Sequence, residues 1–372
     1  MATIALNGRL LIPGRLEGIG GFADACFRRM VAAHPEHNFV LLRDRRLSPA
    51  FDYGPNCKQV WLLPPARRPW LYDLWFDWAV PRALRRCGAA VFVSPDGFAS
   101  RRTQVPQTVV IHDLNFLHRP DWLPAREARH YAARFPVYAR SAAALLTVSE
   151  FSRADLAARF GLDAARIGVV PNAPGPHYRP YAQDAIDTVR SRLSGGRPFY
   201  LFVGSLHPRK NLDGLLAAFA AYRARVGKAD LVVVGEAMWA DERHAVDGVH
   251  WLGRLGGEEL ASVMASAEAL VFLPFFEGFG VPVVEAFACG TPVIASSLTA
   301  LPEVCGGAAA ALIDPTAPDA ADQVAEAMFS LERDPVHRAA AVEAGLRRAA
   351  DFSWDRSATL LWEAIQAQLD PL

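Results

Sequence analysis

Residues Phe275–Glu303 read FFEGFGVPVVEAFACGTPVIASSLTALPE, and this stretch is the most specific signal for the fold. An apolar run over Ala269–Leu273 precedes it, and Val283–Cys289, behind a Gly-Phe-Gly-Val-Pro turn, has the pattern of a helix. A strand, a glycine turn and a helix in this order direct backbone N–H groups and a helix N-terminus at an anion. Two glutamates eight positions apart, Glu277 and Glu285, flank the turn. The stretch therefore predicts an α/β unit with an anion-binding loop.

Short apolar runs alternate with amphipathic segments along the rest of the chain. This alternation predicts βα units around mostly parallel sheets. The predicted strands fall into two groups, which are Thr3–Leu6, Asn38–Leu42, Gln59–Leu63, Ala89–Val93, Thr108–Ile111, Ala143–Val148 and Ile167–Val170, and then Phe199–Val203, Leu231–Val234, Val249–Leu252, Ala269–Leu273, Pro292–Ala295 and Ala310–Ile313. The predicted fold class is α/β, with two Rossmann-like, doubly wound domains facing an interdomain cleft.

A segment rich in proline and glycine, residues 171–197, separates the two groups of strands. Such a composition is typical of a hinge at a domain boundary. We therefore predict an N-terminal domain over residues 1–174 and a C-terminal domain over residues 175–353. A capped amphipathic helix is predicted over Ser353–Leu369, and the tail, residues 354–372, is predicted to cross back and pack on the first domain.

Composition and length indicate a globular protein with a large core. The chain has 372 residues, of which 52% are hydrophobic and 21% charged. No apolar run reaches the roughly 18 to 20 residues that span a bilayer, and the amino terminus lacks the pattern of a signal peptide. The five cysteines are scattered and never form a C-x-x-C pair. They predict reduced thiols in the cytoplasm, with neither a zinc site nor a disulfide framework.

The formal net charge of zero conceals an asymmetry between the two halves of the chain. Residues 1–180 carry 24 Lys and Arg against 14 Asp and Glu, whereas residues 181–372 carry 15 against 25. A basic half beside an acidic half predicts that an anionic surface or acceptor meets the first half. The alternative is compositional drift in an arginine-rich sequence. We expect no nucleic-acid partner.

Two adjacent cations follow a strand in the run Phe202–Asn211, FVGSLHPRKN. The strand ends at Gly204, and Arg209 and Lys210 precede a helix predicted over Leu212–Arg225. The planar fork of arginine and the point charge of lysine suit a diphosphate. The alternative is a solvated pair, which is disfavoured because cations at a helix start oppose the helix dipole unless an anion is nearby.

The two glutamates of the opening stretch are further candidates. Glu285 is placed to accept hydrogen bonds from vicinal ribose hydroxyls, as a carboxylate does in other nucleotide sites. The amides of Gly278–Val281 are placed to bind hydroxyls and phosphate beside Glu277. The alternative, glutamates that are merely solvated, is disfavoured because Phe, Val and Ala surround them.

Two loops of the N-terminal half are weaker candidates. His112 follows the fifth predicted strand and could exchange a hydrogen bond with a substrate hydroxyl near neutral pH. The alternative is a structural histidine bonded to a loop carbonyl, and Asp113 is expected to cap the next turn. Gly20 and Gly21 precede a helix predicted over 22–33 and would let the backbone approach a phosphate, although many such turns carry glycines for steric reasons.

Loops after two later strands could accept a flat base through backbone contacts. Arg254 and Leu255 lie in the second of these loops. Trp239 and Trp251 are expected to be packing residues.

Together these residues resemble a retaining glycosyltransferase of family 4, which has the GT-B fold. The resemblance covers nearly the whole chain, and its last block matches the paired-glutamate motif of the family. Its motifs are the glycine turn at 18–21, IHDLNFLHRPDWLP at 111–124, TVSEFSRADL at 147–156, FVGSLHPRKNLDGLLAAF at 202–219, and FEGFGVPVVEAFACGTPVIAS through LPEV at 276–304.

The resemblance implies a metal-independent transfer with retention of anomeric configuration, and neither a cofactor nor a metal. It implies catalytic roles for His112, which would lie near the reacting sugar, for Glu277, which would hold that sugar, and for Arg209 and Lys210, which would bind the diphosphate. The implied donor-binding residues are Gly20, Gly21, Gly204, Arg209, Lys210, Arg254, Leu255, Gly278, Phe279, Gly280, Val281 and Glu285.

The runs GSLHPRKN and GEAMW, the latter at residues 235–239, resemble those of bacterial enzymes that assemble surface polysaccharides. Many of those enzymes use GDP-mannose, so we expect transfer of a hexose, with mannose favoured, to a glycan or lipid-linked oligosaccharide. The alternatives are an enzyme like a UDP-sugar epimerase and a non-catalytic nucleotide-sugar-binding paralogue on the same fold.

Residues Arg67–Arg86, RRPWLYDLWFDWAVPRALRR, place aromatic side chains between clusters of arginine. Trp70, Trp75 and Trp78 with flanking cations are typical of an interfacial helix on anionic lipid. This pattern predicts peripheral contact with the inner face of a membrane. The alternative is a buried helix whose arginines are solvated.

Overall fold

The computed structural model describes residues 1–16, 18–225, 227–236 and 246–369. The chain divides into two compact units, and each has its own parallel sheet. The first unit comprises Met1–Asn172 and Trp354–Leu372, and the second comprises Ala173–Ser353. Trp239, which was expected to pack, lies outside the described residues. Trp251 is half-buried and packs against the core of the second unit.

The first unit contains a sheet of seven strands in the order β3-β2-β1-β4-β5-β6-β7, with every described pair parallel. The strands are β1 (Thr3–Asn7), β2 (Asn38–Arg43), β3 (Cys57–Trp61), β4 (Ala89–Ser94), β5 (Gln107–Val110), β6 (Ala144–Thr147) and β7 (Ile167–Val169). Strand order reverses beside β1, which pairs with β2 on one side and with β4 on the other.

The helices of the first unit are α1 (Ile19–Ala33), α2 (Pro69–Leu74), α3 (Val80–Cys87), α4 (Asn115–His118), α5 (Ala125–Ser141), α6 (Glu150–Phe160) and the last helix of the chain, α14 (Trp354–Leu369). Helix α14 packs on α1, where Arg29 Nε donates to Asp355 Oδ1 at 2.6 Å. Trp362 of α14 stacks on His34 with ring centroids 3.7 Å apart. The carboxyl-terminal helix is therefore part of the first unit.

The second unit contains a sheet of six strands in the order β10-β9-β8-β11-β12-β13, with every described pair parallel. The strands are β8 (Phe199–Val203), β9 (Asp230–Val234), β10 (Val249–Gly253), β11 (Leu270–Phe272), β12 (Val293–Ser296) and β13 (Ala311–Ile313). The helices are α7 (Gln183–Ser194), α8 (Leu212–Ala224), α9 (Gly257–Ala265), α10 (Val281–Ala288), α11 (Leu301–Cys305), α12 (Ala320–Arg333) and α13 (Pro335–Ala349).

The central strands are mainly apolar because both of their faces are covered, and the buried Asp230 that begins β9 is paired with Arg197 and His250. Every residue of β8 and of β9 is buried, as expected of a parallel sheet with helices on both sides. Strand order reverses beside β8, which pairs with β9 and with β11. Ligands in open α/β sheets bind outside the carboxyl ends of the strands at such a reversal. The fold thus predicts a ligand site at the loops after β8 and β11.

The segment predicted as one interfacial helix is instead divided. Helix α2, a π-helical turn over Trp75–Ala79 and helix α3 follow one another. Trp75 is completely buried, so its predicted place on an exposed face was wrong. Trp70 and Trp78 remain exposed, at 62% and 44%. Each hydrogen-bonded turn of a π-helix contains one residue more than a turn of an α-helix. Trp75 and Trp78 therefore do not lie on one face, as they would in a regular α-helix. In the part of the chain that the structure describes, no helix is long and apolar enough to cross a membrane.

Helix α1 begins at Ile19, three residues before its predicted start, so Gly20 and Gly21 lie in its first turn. A Cβ on Gly20 would lie 2.6 Å from the carbonyl oxygen of Leu10, whereas a Cβ on Gly21 would meet nothing within 4 Å. The two glycines therefore differ in function within the fold. Close packing requires Gly20, and no packing contact requires Gly21.

We predict that Gly20→Ala lowers the free energy of unfolding by about 1 to 3 kcal/mol, because the backbone must move to admit the methyl group. Gly21→Ala is the matched control and should raise it by up to about 1 kcal/mol, because alanine favours the helix. Urea denaturation measures both effects. Equal effects of the two substitutions would contradict this account of the turn.

Candidate active site

Two loops meet at the carboxyl ends of β8 and β11 in the second unit. After β8 the chain passes Gly204 and forms a 3-10 turn over Pro208–Lys210 before α8 begins. After β11 it runs through Phe275–Gly280 into α10. The amide of Phe275 donates to the carbonyl oxygen of Arg209 at 2.9 Å. A backbone hydrogen bond therefore joins the two predicted motifs directly.

The carboxylate of Glu277 lies between the two predicted cations. Arg209 Nη1 donates to Glu277 Oε1 at 2.7 Å, and Lys210 Nζ donates to the same oxygen at 2.5 Å. Arg209 Nη1 also donates to the carbonyl oxygen of Phe276 at 2.8 Å. Glu277 and Lys210 are both buried, each with 8% of its surface exposed. The sequence predicted these residues separately, and the structure places them in one ion-paired cluster.

The electrostatics of this cluster favour an anion. Burial alone would raise the pKa of Glu277, but the charges of Arg209 and Lys210 outweigh burial and hold that pKa below its ordinary value. The carboxylate is therefore ionised at neutral pH, and two cations and one anion leave one net positive charge. In the described part of the chain, Nε and Nη2 of Arg209 make no hydrogen bond, so this edge of the guanidinium can take a phosphate oxygen.

The backbone beside the cluster is shaped by close approaches. A Cβ on Gly235, after β9, would lie 1.8 Å from the carbonyl oxygen of Gly204. Gly280 has φ 98° and directly precedes α10, which begins at Val281, two residues before the predicted start. Only glycine adopts this φ readily. Helix α10 therefore begins beside the cluster, but Pro282 has no N–H and the amide of Val283 donates to the carbonyl oxygen of Gly280 at 3.0 Å, so Val281 is the first-turn residue whose amide can face a ligand.

Gly278 and Phe279 lie in the same loop, between Glu277 and α10. The ring of Phe279 is buried and contacts Phe352 edge-on, with ring centroids 5.5 Å apart. Its side chain therefore packs, and only its backbone can serve a ligand.

Glu285 lies one turn into α10 and is half-buried. Burial raises its pKa to about 8, and a hydrogen bond from the Tyr178 hydroxyl opposes that rise. Burial, together with the nearby carboxyl of Glu285, raises the pKa of Tyr178. Glu285 is therefore largely protonated at neutral pH in the unliganded protein.

Arg254 and Leu255 follow β10, which is separated from β8 by β9. Both are half-buried. The amide of Gly235 donates to the carbonyl oxygen of Gly253 at 2.8 Å, so the loop after β9 is joined through the backbone to the end of β10.

His112 lies in the first unit, directly after β5 and Ile111. Burial lowers its pKa to about 4, so the imidazole is neutral at pH 7. Its Nε2 lies 3.0 Å from the carbonyl oxygen of Pro95 and must carry the proton, because a carbonyl only accepts. The loop-carbonyl contact considered as the structural alternative is thus present. Asp113 accepts from the amide of Asn115 at 3.0 Å, which confirms its predicted capping role.

Four residues of the site in the second unit were not predicted from the sequence. They are His207, Phe272, Thr299 and Tyr178. His207 Nδ1 accepts from the amide of Arg209 at 3.1 Å, and Lys210 Nζ lies 4.8 Å from the ring centroid of Phe272. The amide of Glu277 donates to Thr299 Oγ1 at 3.1 Å. His207-Pro208 is a recognisable start of a turn, and could have been found from the sequence. Tyr178, Thr299 and Phe272 contact the site only in the folded protein, and no local sequence pattern predicts their role.

Comparison with known proteins identifies the family of the chain. Residues 185–348 match Glycosyl transferases group 1, and residues 25–173 match Glycosyltransferase Family 4. O-antigen chain mannosyltransferase B of Escherichia coli is 30% identical over 308 residues, which cover 80% of this chain and 76% of that protein. The GDP-mannose-dependent alpha-(1-6)-phosphatidylinositol monomannoside mannosyltransferase of Mycolicibacterium smegmatis is 29% identical over 239 residues, covering 59% of this chain and 61% of that protein.

Among solved structures, sucrose-phosphate synthase from Thermosynechococcus elongatus has a TM-score of 0.75 at 19% identity, with 99% of each chain covered. Two Rossmann-like units with parallel sheets define a protein of the GT-B fold class, and the matched families make it a glycosyltransferase. The chain belongs to glycosyltransferase family 4.

Because the pKa of Glu285 is raised, we predict how the free energy of unfolding depends on pH. The folded state favours the protonated carboxyl, so its stabilising contribution is complete below the ordinary pKa of 4.5 and is lost as pH rises through about 8. Glu285→Gln removes this loss, and should therefore become more stable than the wild type as pH rises through that window. Tyr178→Phe should move the window to higher pH, since it removes the hydrogen bond that lowers the pKa.

Urea denaturation at a series of pH values measures this difference. Glu258→Gln, at an exposed position in α9, is the matched control and should follow the wild type. If the free energies of unfolding of Glu285→Gln and the wild type change with pH in parallel through the window, Glu285 is ionised in the folded state. Its pKa is then not raised, and the prediction is wrong.

Proposed function

We propose that this glycosyltransferase moves a hexose, with mannose favoured, from a nucleotide-sugar to a glycan or lipid-linked oligosaccharide in polysaccharide biosynthesis, with retention and without a metal ion. The observation that carries the proposal is the buried cluster of Arg209, Lys210 and Glu277 beside the start of α10. The similarity to the two mannosyltransferases supports mannose as the transferred sugar. The name of the second of them, which is GDP-mannose-dependent, supports GDP-mannose as the donor.

The cluster suits the departure of a nucleoside diphosphate. As the bond between the sugar and the diphosphate breaks, negative charge grows on the leaving oxygen. Arg209 offers the guanidinium edge that Glu277 does not use, and Lys210 adds a second charge a short distance away. Preorganised cations in a buried site stabilise such a charge strongly. These residues would thus supply the positive charge that a divalent ion supplies in other transferases.

The ion pairs of Glu277 bear on how configuration is retained. A carboxylate bonded to two cations has a lowered pKa and is a weak nucleophile. Glu277 therefore suits orienting the sugar, together with the backbone of Gly278–Gly280, better than forming a covalent intermediate. We assign retention to front-face attack, in which the entering and leaving oxygens occupy the same side of the anomeric carbon.

The remaining predicted residues complete the proposed assignment. Glu285 would bind the ribose hydroxyls, and the loop with Arg254 and Leu255 would accept the base. His112 would meet a hydroxyl of the transferred sugar, since Pro95 engages its Nε2 and Nδ1 makes no hydrogen bond in the described part of the chain. Gly20 and Gly21 would lie near the phosphates, where only Gly21 has no packing role.

The exposed aromatics of α2 and the π-helical turn support peripheral contact with an anionic membrane on its cytoplasmic face. Trp70, Leu74 and Trp78 are exposed, and Arg82 and Arg102 lie over the Trp78 ring at 5.2 and 4.4 Å. Exposed indoles with adjacent arginines suit the headgroup region of a bilayer. A lipid-linked acceptor would then be presented at that surface.

We predict that GDP raises the melting temperature more than UDP or ADP does, because a ligand stabilises the state that binds it. GDP-mannose should slowly release GDP without acceptor, and EDTA should not change the rate. Lys210→Ala should lower the kcat/KM for the donor by about 10- to 100-fold, the loss expected for one charge-assisted hydrogen bond. Lys228→Ala, at an exposed position before β9, is the matched control.

Circular dichroism of Lys210→Ala shows whether the fold is kept. A stable Lys210→Ala protein with wild-type turnover would refute the site. Conversion of the sugar without release of the diphosphate would instead identify an epimerase, and binding without any turnover a non-catalytic paralogue.

We predict that the protein sediments with vesicles containing phosphatidylglycerol and not with neutral vesicles. The double variant Trp70→Glu, Arg85→Glu should lose this binding, since each exposed cation contributes about 1 kcal/mol near an anionic surface. The matched control is Val336→Glu, Arg166→Glu, which makes the same changes of charge at exposed positions elsewhere. Equal sedimentation of the two double variants would contradict the proposed membrane contact.

A further inference from the structure

A cavity of about 590 Å³ opens at the carboxyl edge of the sheet in the first unit. Residues of the loop after β2, including Asp44, Arg45 and Arg46, line one part of it, and Trp61 and Arg67 line another. The volume falls within the range of small-molecule sites, which is roughly 300 to 1,000 Å³. Its position outside the ends of parallel strands is where α/β sheets bind ligands.

The lining has an apolar side and a charged side. Trp61 ends the edge strand β3 and is 46% exposed, and Leu47 is exposed beside the same cavity. Three arginines and one aspartate leave this cavity with two net positive charges. An indole offers a flat apolar surface that suits the C–H face of a pyranose ring, and arginines suit a phosphate.

A buried acceptor in the cavity wall has no partner. Asp44 is fully buried at its side chain, and Arg45 Nε donates to its Oδ1 at 3.0 Å. Its other oxygen, Oδ2, has no hydrogen-bond partner in the described part of the chain. Because Oδ2 is shielded from solvent, Asp44 serves the cavity through the ion pair that orients Arg45.

The cavity wall is held in place before any ligand binds. Gln59 of β3 donates through Nε2 to the carbonyl oxygen of Ser48 at 2.8 Å, and its Oε1 accepts from the Ser48 amide at 3.2 Å. Arg43, which is buried behind the loop, donates through Nη1 to the same Oε1 at 3.1 Å and through Nη2 to the carbonyl oxygen of Leu11 at 2.9 Å. A loop fixed in this way loses little conformational entropy on binding.

We propose that this cavity binds a phosphorylated sugar of the acceptor, with the ring on Trp61 and the phosphate on Arg46 and Arg67. The inference rests on the proposed function, because it gives the acceptor its chemical class. It places three of the 24 Lys and Arg residues of the basic first half in one cavity.

Direct binding to the full chain tests the proposal, with mannose 6-phosphate as the probe, observed by saturation-transfer NMR. Mannose 6-phosphate should bind more tightly than inorganic phosphate or methyl α-mannoside. Trp61→Ala and Arg46→Ala should each weaken binding by about tenfold or more, the loss of one strong contact, and Trp61→Phe should restore it. Arg166→Ala, an exposed arginine at the opposite edge of the sheet, is the matched control.

Lys210→Ala separates this cavity from the proposed donor site. Binding that survives Lys210→Ala and is lost in Trp61→Ala supports the proposal, and the reverse pattern overturns it, as does no binding at all. Octyl mannosyl phosphate, a phosphodiester, distinguishes the two sources of phosphate. Tighter binding of the diester indicates the phosphate of a lipid linkage, and tighter binding of mannose 6-phosphate indicates a phosphorylated sugar residue.

Hydrolysis of GDP-mannose without acceptor distinguishes failure of this inference from failure of the proposed function. Trp61→Ala should release GDP at the wild-type rate, because the cavity takes no part in holding the donor. If the wild type hydrolyses GDP-mannose while mannose 6-phosphate does not bind, only the present inference fails. If the wild type binds mannose 6-phosphate through Trp61 but hydrolyses no nucleotide-sugar, the proposed function fails and the cavity stands as a sugar-phosphate site.

Discussion

A buried carboxylate held between two cations is the interaction on which the site in the second unit depends. Burying Arg209 and Lys210 without an anion would cost several kcal/mol for each charge, and Glu277 offsets that cost. The same contacts join the loop after β8 to the loop after β11. One ion-paired cluster thus sets both the charge of the site and the relative position of its two loops.

The backbone around the cluster is equally constrained. Gly235 packs on the carbonyl of Gly204 with no room for a side chain, and Gly280 adopts a φ that allows α10 to begin beside Glu277. Thr299, at φ 58°, accepts the amide of Glu277. Groups that are positioned before a ligand arrives need no reorganisation during reaction. The first unit has the same parallel architecture, with a neutral His112 after β5 and a basic cavity beside Trp61.

Much of the fold could be predicted from the sequence because strands in a buried parallel sheet are marked locally. Every strand that the structure describes overlaps a predicted one, since most are short, mainly apolar runs between amphipathic segments, and the edge strand β3 with Lys58 and Gln59 is the exception. Helix starts were predicted less well, and α1 and α10 both begin earlier, because glycines precede their first turns. The segment with Trp75 and Trp78 was misread as one surface, since periodicity assumes a regular helix and a π-helical turn changes the spacing.

Local sequence patterns were enough to predict the fold class, the two sets of strands, and the loops that carry Arg209, Lys210, Glu277 and Glu285. They could not predict that Arg209 and Lys210 bind one oxygen of Glu277, or that Glu285 is held protonated beside Tyr178. Both results depend on groups that are far apart in the chain. Reversal of strand order beside β8 brings residues 209 and 277 together, and burial sets the pKa of Glu285. A local pattern encodes neither.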